Sequence, residues 1–198
     1  MLNLGLGICS SFCTVRELIP IYENLAKEYE IYPFMSQFLY ETDTRFGTAY
    51  SLKIELEKIC GRQIITKMTE IEPYGPKAIF DALLIAPLTG NTLSKIANGI
   101  TDNAITSIAK AHLRNDRPLI LGVSSNDSLG GNFENIAKLY NRKGIYFVPF
   151  YEDDIKNKPN SLKADKDKML EAVKLALDYT QIKPLFSNCN ENDIGSNA

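Results

Sequence analysis

The segment Ala82-Leu83-Leu84-Ile85-Ala86-Pro87-Leu88-Thr89-Gly90-Asn91-Thr92 carries the architecture of this chain. Ala82 to Ala86 are apolar without a break, the composition of a strand covered on both faces. Pro87 closes that run, and a helix is expected to begin near Asn91. It would place Leu93, Ile96, Ala97 and Ile100 along one apolar stripe. A fully buried strand feeding an amphipathic helix is the repeating half of a parallel α/β sheet.

The same alternation recurs on either side. Residues 2–9 read as a strand ending in Cys9-Ser10-Ser11. Residues 12–28 read as a helix with Val15, Leu18, Ile19, Tyr22 and Leu25 on one face, and Pro20 inside it predicts a kink. A second strand at 31–35 ends at Ser36. The polar segment 40–47 interrupts the pattern, 49–59 reads as a helix stopped by Gly61, and 63–66 as a short third strand. Beyond the central segment, a break at Thr101-Asp102-Asn103 precedes a helix at 104–113. A strand at 118–123, a helix at 133–142 and a strand at 145–150 follow. Residues 151–163 read as a charged loop, and Asp165 as the cap of a last helix reaching Tyr179. A single domain over 1–186 is expected, with 187–198 as a disordered polar tail.

The 198 residues carry Lys+Arg 22 against Asp+Glu 24, a formal net charge of −2. That balance gives no electrostatic footprint for nucleic acid or a membrane surface. Hydrophobic residues at 44% and charged residues at 23% suit an ordinary globular domain that needs no staples. No apolar run approaches the ~20 residues that span a bilayer. Met1 leads into Leu2-Asn3-Leu4 without a basic leader, so no signal peptide is expected. Cys9, Cys13, Cys60 and Cys189 form no CxxC pair, and His112 is the sole histidine, which disfavours a zinc site. The cysteines read as reduced thiols of a cytosolic protein, with Cys9 and Cys13 buried. Glu152-Asp153-Asp154 lacks the spacing of a calcium loop, and no metal site is expected. His112 has no nucleophile elbow beside it, so acid–base chemistry falls to carboxylates, Tyr, Lys, Cys or a cofactor.

In an open parallel sheet, ligands bind beyond the carboxyl ends of strands, where the strand order reverses. Three strand ends here carry small hydroxyl or amide residues: Cys9-Ser10-Ser11, Met35-Ser36, and Pro87 to Thr92. Hydroxyls beside the free N–H groups of a helix start suit a phosphate. Ser10, Ser11 and Asn91 are equally good helix N-caps, so capping stands beside ligand binding as a reading. Gly5-Leu6-Gly7 lies inside a strand and is not completed to GxGxxG, which disfavours the usual NAD site.

The run Ala86-Pro87-Leu88-Thr89-Gly90-Asn91-Thr92-Leu93-Ser94-Lys95-Ile96-Ala97-Asn98-Gly99-Ile100-Thr101-Asp102-Asn103 resembles the "APATANT…KIAxGIADN" signature of the flavoprotein family. That family includes FMN-containing cysteine decarboxylases and flavin prenyltransferases. Glu134-Asn135-Ile136-Ala137-Lys138-Leu139 resembles the helix after their last flavin-contacting loop. Further segments are similar to one branch, the dipicolinate synthase B subunits. They are Ser11-Phe12-Cys13-Thr14, Tyr40-Glu41-Thr42-Asp43-Thr44-Arg45-Phe46-Gly47, Lys110-Ala111-His112-Leu113-Arg114-Asn115, Ile145-Tyr146-Phe147-Val148-Pro149-Phe150 and Lys158-Pro159-Asn160-Ser161-Leu162. The matched segments span about 2–186.

The resemblance implies a Rossmann-like three-layer α/β/α fold with a parallel sheet of about six strands in the order 3-2-1-4-5-6. It implies FMN, with the phosphate near Ser10, Ser11 and Ser36. The isoalloxazine would lie against Pro87, Leu88, Thr89, Asn91 and Thr92, and against Ser124, Ser125 and Asn126. Relatives carry "PAMN" in that last loop, and only Asn126 matches. The decarboxylases use a histidine upstream of the "APATANT" strand. None stands between Thr66 and Asp81, where Glu70, Glu72 and Tyr74 occur instead.

The implied function is that of a B subunit that aids the oxidation of a dihydrodipicolinate-type intermediate to pyridine-2,6-dicarboxylate. The setting would be the mother-cell cytoplasm of a sporulating bacterium, with NADP held by a partner, the A subunit. For a dicarboxylate substrate, paired cations are needed. Arg45, Lys110, His112, Arg114 and Arg117 are available, with Arg45 and Arg114 the candidate ligands. Cations near a helix C-terminus are also ordinary dipole partners. The alternatives are a stand-alone FMN-dependent decarboxylase or prenyltransferase, and a non-catalytic flavin-fold scaffold for the A subunit. Relatives place flavin between subunits, which implies a trimer or a multiple of it. Phe38, Leu39, Tyr40 and Phe46 would supply the patch.

Overall fold

The computed structural model describes residues 1–75 and 77–187. Cys189 and the expected tail beyond Ser187 lie outside the described residues. The elements are β1 (Leu2–Ile8), α1 (Phe12–Glu28), β2 (Tyr29–Met35), α2 (Gln37–Glu41), α3 (Ala49–Cys60), α4 (Met68–Ile71), β3 (Ala82–Leu88), α5 (Gly90–Ala97), α6 (Ala104–Leu113), β4 (Leu119–Ser125), α7 (Phe133–Tyr140), β5 (Ile145–Phe147), β6 (Phe150–Glu152), β7 (Leu162–Ala164) and α8 (Met169–Leu177).

The seven-stranded sheet runs β2-β1-β3-β4-β7-β6, with β5 also paired to β4. β1 to β5 pair in parallel, so their carboxyl ends share one edge. Alternation of side chains divides the core between two faces. Leu4, Leu6 and Ile8 of β1 pack with Val15, Leu18 and Tyr22 of α1, Leu52 and Leu56 of α3, and Val173 and Ala176 of α8. On the other face, Leu83 and Ile85 of β3 and Leu119 and Leu121 of β4 pack with α5, α6 and α7 through Leu93, Ile105, Ile108 and Ile136. Burying each such aliphatic side chain contributes roughly 1.5–3 kcal/mol. Gly5 belongs to this second face. A Cβ there would meet Leu83 Cδ1 at 2.7 Å, so this glycine serves close packing inside a strand.

The three-layer architecture and the order of the expected strands hold, with local differences. Residues 63–66 form no strand; Ile65 makes a single parallel bridge to Phe34 at the sheet edge. The expected strand 145–150 is broken after Phe147, because Pro149 has no N–H to continue a ladder. The chain then forms β6 and returns as β7, antiparallel to the end of β4, so 151–163 is a hairpin rather than a charged loop. The helix after β3 stops at Ala97, and Ile100 is 48% exposed instead of completing the stripe. Gly99 at φ +72 ends it: Ile100 N–H donates to Lys95 O at 2.9 Å and Gly99 N–H to Ile96 O at 3.3 Å, a Schellman closure. The helix expected over 133–142 ends at Tyr140. Asp165 caps a 3-10 turn, Lys166–Lys168, by accepting from Asp167 N–H, and α8 ends at Leu177, short of Tyr179.

Candidate functional site

The chain leaves β1 for β2 on one side and returns to β3 on the other, so the strand order reverses at β1. The crevice beyond these carboxyl ends is the expected ligand position. Ser10 Oγ and Ser36 Oγ lie 2.7 Å apart and join the ends of β1 and β2. Ser11 Oγ donates to Thr14 Oγ1 at 3.0 Å, and Thr14 Oγ1 lies 3.0 Å from Ser124 Oγ, which is 3.4 Å from Ser11 Oγ. This second cluster ties the start of α1 to the end of β4.

Capping does not explain these hydroxyls. The N-caps are Ser11 for α1, Ser36 for α2 and Thr89 for α5, and none of the three side chains makes the capping bond. The hydroxyls bond to one another or, for Thr89, to Thr92 Oγ1 at 3.3 Å. Two expectations are corrected here. Ser10 precedes the cap position, and Asn91 is not a cap but an exposed residue of the first turn of α5. The turn after Leu88 already presents Thr89 in extended geometry, so the helix starts earlier.

The opposite wall is built from β4 onward. Gly90 is buried, and a Cβ there would meet Ser125 Oγ and Asn132 Nδ2, each at 2.6 Å. Asp127 orders this turn: its carboxylate accepts from Gly131 N–H and Asn132 Nδ2, and its own N–H donates to Ser125 Oγ. Asn126 Oδ1 accepts from Ser161 Oγ at 3.3 Å, and Lys163 of β7 pairs with Glu17 of α1. The hairpin is thus fixed beside the site. Thr92 is 6% exposed and Leu88 is wholly buried, and Pro87 is buried as well, so these three support the crevice from beneath. Sequence reading missed Thr14, Asp127, Asn132 and Ser161. Thr14 had a signal, standing three residues after Ser11 at helical spacing.

Cys9 lies under the site, where burial pushes its thiol up despite hydrogen bonds with Thr92 and Thr89. A buried neutral thiol is a poor nucleophile. Cys13, expected to be buried, is exposed, because it falls on the outer side of the first turn of α1. His112 is 3% exposed, and burial lowers its pKa to about 4. Its Nε2 lies 2.9 Å from Pro118 O, so it is a neutral donor in the core rather than a cation for a substrate.

The two candidate arginines do not converge. Arg45 is exposed on the loop that follows β2 and α2, on the serine side of the sheet, with its guanidinium 4.9 Å from the Phe46 ring centroid. Arg114 is the C-cap of α6, which runs back toward the amino end of β4. It therefore sits at the opposite edge, near Arg117, whose guanidinium pairs with Asp81 at 2.9 Å. Among the described residues no group of three or more His, Cys, Asp or Glu is placed to hold a metal ion. Among them, no helix is long and apolar enough to cross a membrane.

A mostly parallel sheet covered by helices on both faces, with a hydroxyl-rich crevice at its switch point, places the chain in the Rossmann-like class of α/β proteins. Residues 3–174 match the flavoprotein family, and this chain belongs to that family. It is 40% identical over 193 residues to the dipicolinate synthase B subunit of Bacillus subtilis (strain 168), covering 96% of each chain. The crystal structure of the dipicolinate synthase B subunit from Bacillus halodurans is similar at TM-score 0.86 and 38% identity, over 94% of this chain and 96% of that one. The FMN-dependent cysteine decarboxylase SpaF shares the fold at TM-score 0.67 and 21% identity, over 90% of this chain and 96% of that one.

Proposed function

We propose that this chain is the flavin-holding B subunit of a dipicolinate synthase, acting with a partner, the A subunit, that carries NADP. The observation that carries the flavin reading is the set of hydroxyls at the switch point. Ser10, Ser11, Thr14, Ser36 and Ser124 are bonded to one another instead of capping helices. Hydroxyl donors beside the start of α1 suit a phosphate, and the absence of a Cβ at position 90 lets Ser125 and Asn132 pack against the start of α5. FMN fits this donor set. Ser10, Ser11 and Ser36 would hold its phosphate, and Thr89, Asn91, Ser124, Ser125 and Asn126 would face the ring, over Pro87, Leu88 and Thr92. When bound, a flavin supplies a two-electron acceptor. Arg45, on the same side of the sheet, would hold a carboxylate of the substrate.

The similarity to the dipicolinate synthase relatives supports the substrate class, a dihydropyridine dicarboxylate that loses two electrons and two protons to become pyridine-2,6-dicarboxylate. It also supports a role in a sporulating bacterium's cytoplasm. The decarboxylase reading is weaker, since no histidine stands between Thr66 and Asp81. Self-association belongs to the same proposal. Phe38 is 62% exposed beside Phe12, with ring centroids 6.0 Å apart, and Phe46 is 39% exposed on the next loop. Light scattering at micromolar concentration should report a trimer or a multiple of it; a monomer would count against this part.

The decisive experiment is an absorption spectrum of the purified protein, mass analysis of the released ligand, and turnover with and without the A subunit. FMN in the protein and activity only in the two-protein mixture are expected. A colourless protein that takes up no added FMN would leave only a scaffold role, and turnover by this chain alone would make it a stand-alone enzyme.

A further inference from the structure

At the edge opposite the serines, α5, α6 and the end of α7 enclose a cavity of about 280 Å³. Its apolar lining includes Ile96, which is buried, Leu113, and Ile100, which stays exposed because Gly99 ends α5. Thr101, Thr106, Lys110, Arg114 and Arg142 supply the polar lining, and no carboxylate joins them. Neighbouring cations are matched: Lys95 with Asp102 at 2.6 Å, Arg117 with Asp81 at 2.9 Å, and Lys138 with Asn98 Oδ1 at 2.9 Å. Among the described residues, Lys110, Arg114 and Arg142 make no ion pair.

We propose that this cavity binds a small organic anion, an apolar or aromatic body bearing one or two carboxylates. Three cations around an apolar floor repel one another until a counter-charge arrives, and a guanidinium fork matches a carboxylate in two parallel hydrogen bonds. The floor asks for an apolar body. The volume lies just under the ~300 Å³ at which drug-sized sites begin, so the ligand is small. Inorganic phosphate fits poorly. The ends of α5 and α6 present carbonyls here, whose partial negative charge the cations already offset, and the α6 start that reaches the lining at Thr106 has its N–H donated to Asn103 Oδ1 at 3.0 Å. Arg114, a candidate substrate ligand in the sequence, thus serves an anion at a separate place. The inference does not rest on the flavin reading, although pyridine-2,6-dicarboxylate belongs to the ligand class.

Calorimetric titration of the whole chain with benzoate tests this, with pyridine-2,6-dicarboxylate, benzamide and inorganic phosphate as further probes. Benzoate should bind saturably, and benzamide and phosphate about tenfold more weakly or not at all. Arg114→Ala and Arg142→Ala, both at exposed positions, should each weaken benzoate about tenfold. Lys143→Ala removes the same charge from an exposed residue outside the cavity and should leave binding unchanged. Ile100→Ser should weaken benzoate and pyridine-2,6-dicarboxylate together. The proposal is overturned by absence of saturable benzoate binding at millimolar concentration, by equal loss in Lys143→Ala, or by full affinity in the Arg114→Ala, Arg142→Ala double variant.

Discussion

Tyr22 Oη donates a hydrogen bond to the carbonyl oxygen of Ala86 at 2.8 Å, and both residues are wholly buried. The contact falls where β3 leaves its register with β4. Pairing runs through Ile85 and Leu121, shifts, and resumes at Leu88 and Val123. The next carbonyl, that of Pro87, accepts from Cys9 N–H at 3.1 Å. α1 and β1 thereby hold the two carbonyls at which β3 bends toward Thr89 and Gly90. Burial raises the Tyr22 phenol well above its usual range, so it remains a donor at any ordinary pH.

Tyr22→Phe keeps the ring and removes the donor, leaving the Ala86 carbonyl buried without it. Stability should fall by about 1–3 kcal/mol. Urea unfolding should show a lower midpoint at unchanged slope. An unchanged midpoint would mean that Ala86 finds another donor.

Gly90→Ala places a methyl group 2.6 Å from Ser125 Oγ and Asn132 Nδ2. The backbone there needs no positive φ, and Ala favours a helix, so the fold should survive within about 1 kcal/mol. Displacement of Ser125 and Asn132 should instead lower FMN content, read as flavin absorbance per protein. Full flavin content would remove Gly90 from the site.

Asn91→Asp separates stability from binding by opposite signs. Asn91 lies in the first turn of α5, where a carboxylate meets the positive end of the helix dipole. The gain should be about 0.3–1 kcal/mol. The same charge beside an anionic ligand should weaken its retention by on the order of 1–3 kcal/mol. A thermal melt and a dialysis series read the two effects, and undiminished retention would show that Asn91 touches no ligand.

His112 predicts the acid limb of the stability curve. Its folded pKa is about 4 against an ordinary 6.5, through burial first. Above pH 6.5 both states are neutral and it contributes no slope. Between 6.5 and 4 the unfolded chain binds a proton that the folded chain refuses, so stability is lost as pH falls. The loss attributable to this residue is on the order of 3 kcal/mol. His112→Gln retains an N–H donor and should flatten the curve over that window relative to the parent, by urea unfolding across a pH series. Parallel curves would assign the acid limb to carboxylates alone.

Local features were legible because they depend on neighbours a few residues apart. The helix Ala104–Leu113 has the bounds expected from sequence, since Asn103 and Thr106 form a reciprocal cap across a single turn. The run Ala82 to Ala86 declared a buried strand by composition, and Gly61 ends α3 in the left-handed conformation, φ +64, that glycine permits. The hydroxyls of Ser10, Ser11 and Ser36 were legible as candidates because each follows a strand. Their bonding was not: capping and ligand binding ask for the same residue types, and only the distances between them separate the two.

What tertiary structure decided are approaches between distant parts of the chain. Thr14 and Ser124 are 110 positions apart and meet only because α1 starts over the end of β4. Gly90 is confined by Ser125 and Asn132, which no local pattern connects to it. β7 pairs with Ser124 and Ser125 although three strand residues in a charged segment carry too little periodicity to be seen. Arg45 and Arg114 look alike as sequence, yet the direction of α6 sends Arg114 to the far edge of the sheet. The sequence by itself determined the longer strands and helices and most of the faces they bury, since side-chain period and capping act over a turn or two. The order in which the strands stack, and so which side chains share the crevice, was decided by packing two cores against one sheet. That information resides in pairs of residues rather than in any single stretch.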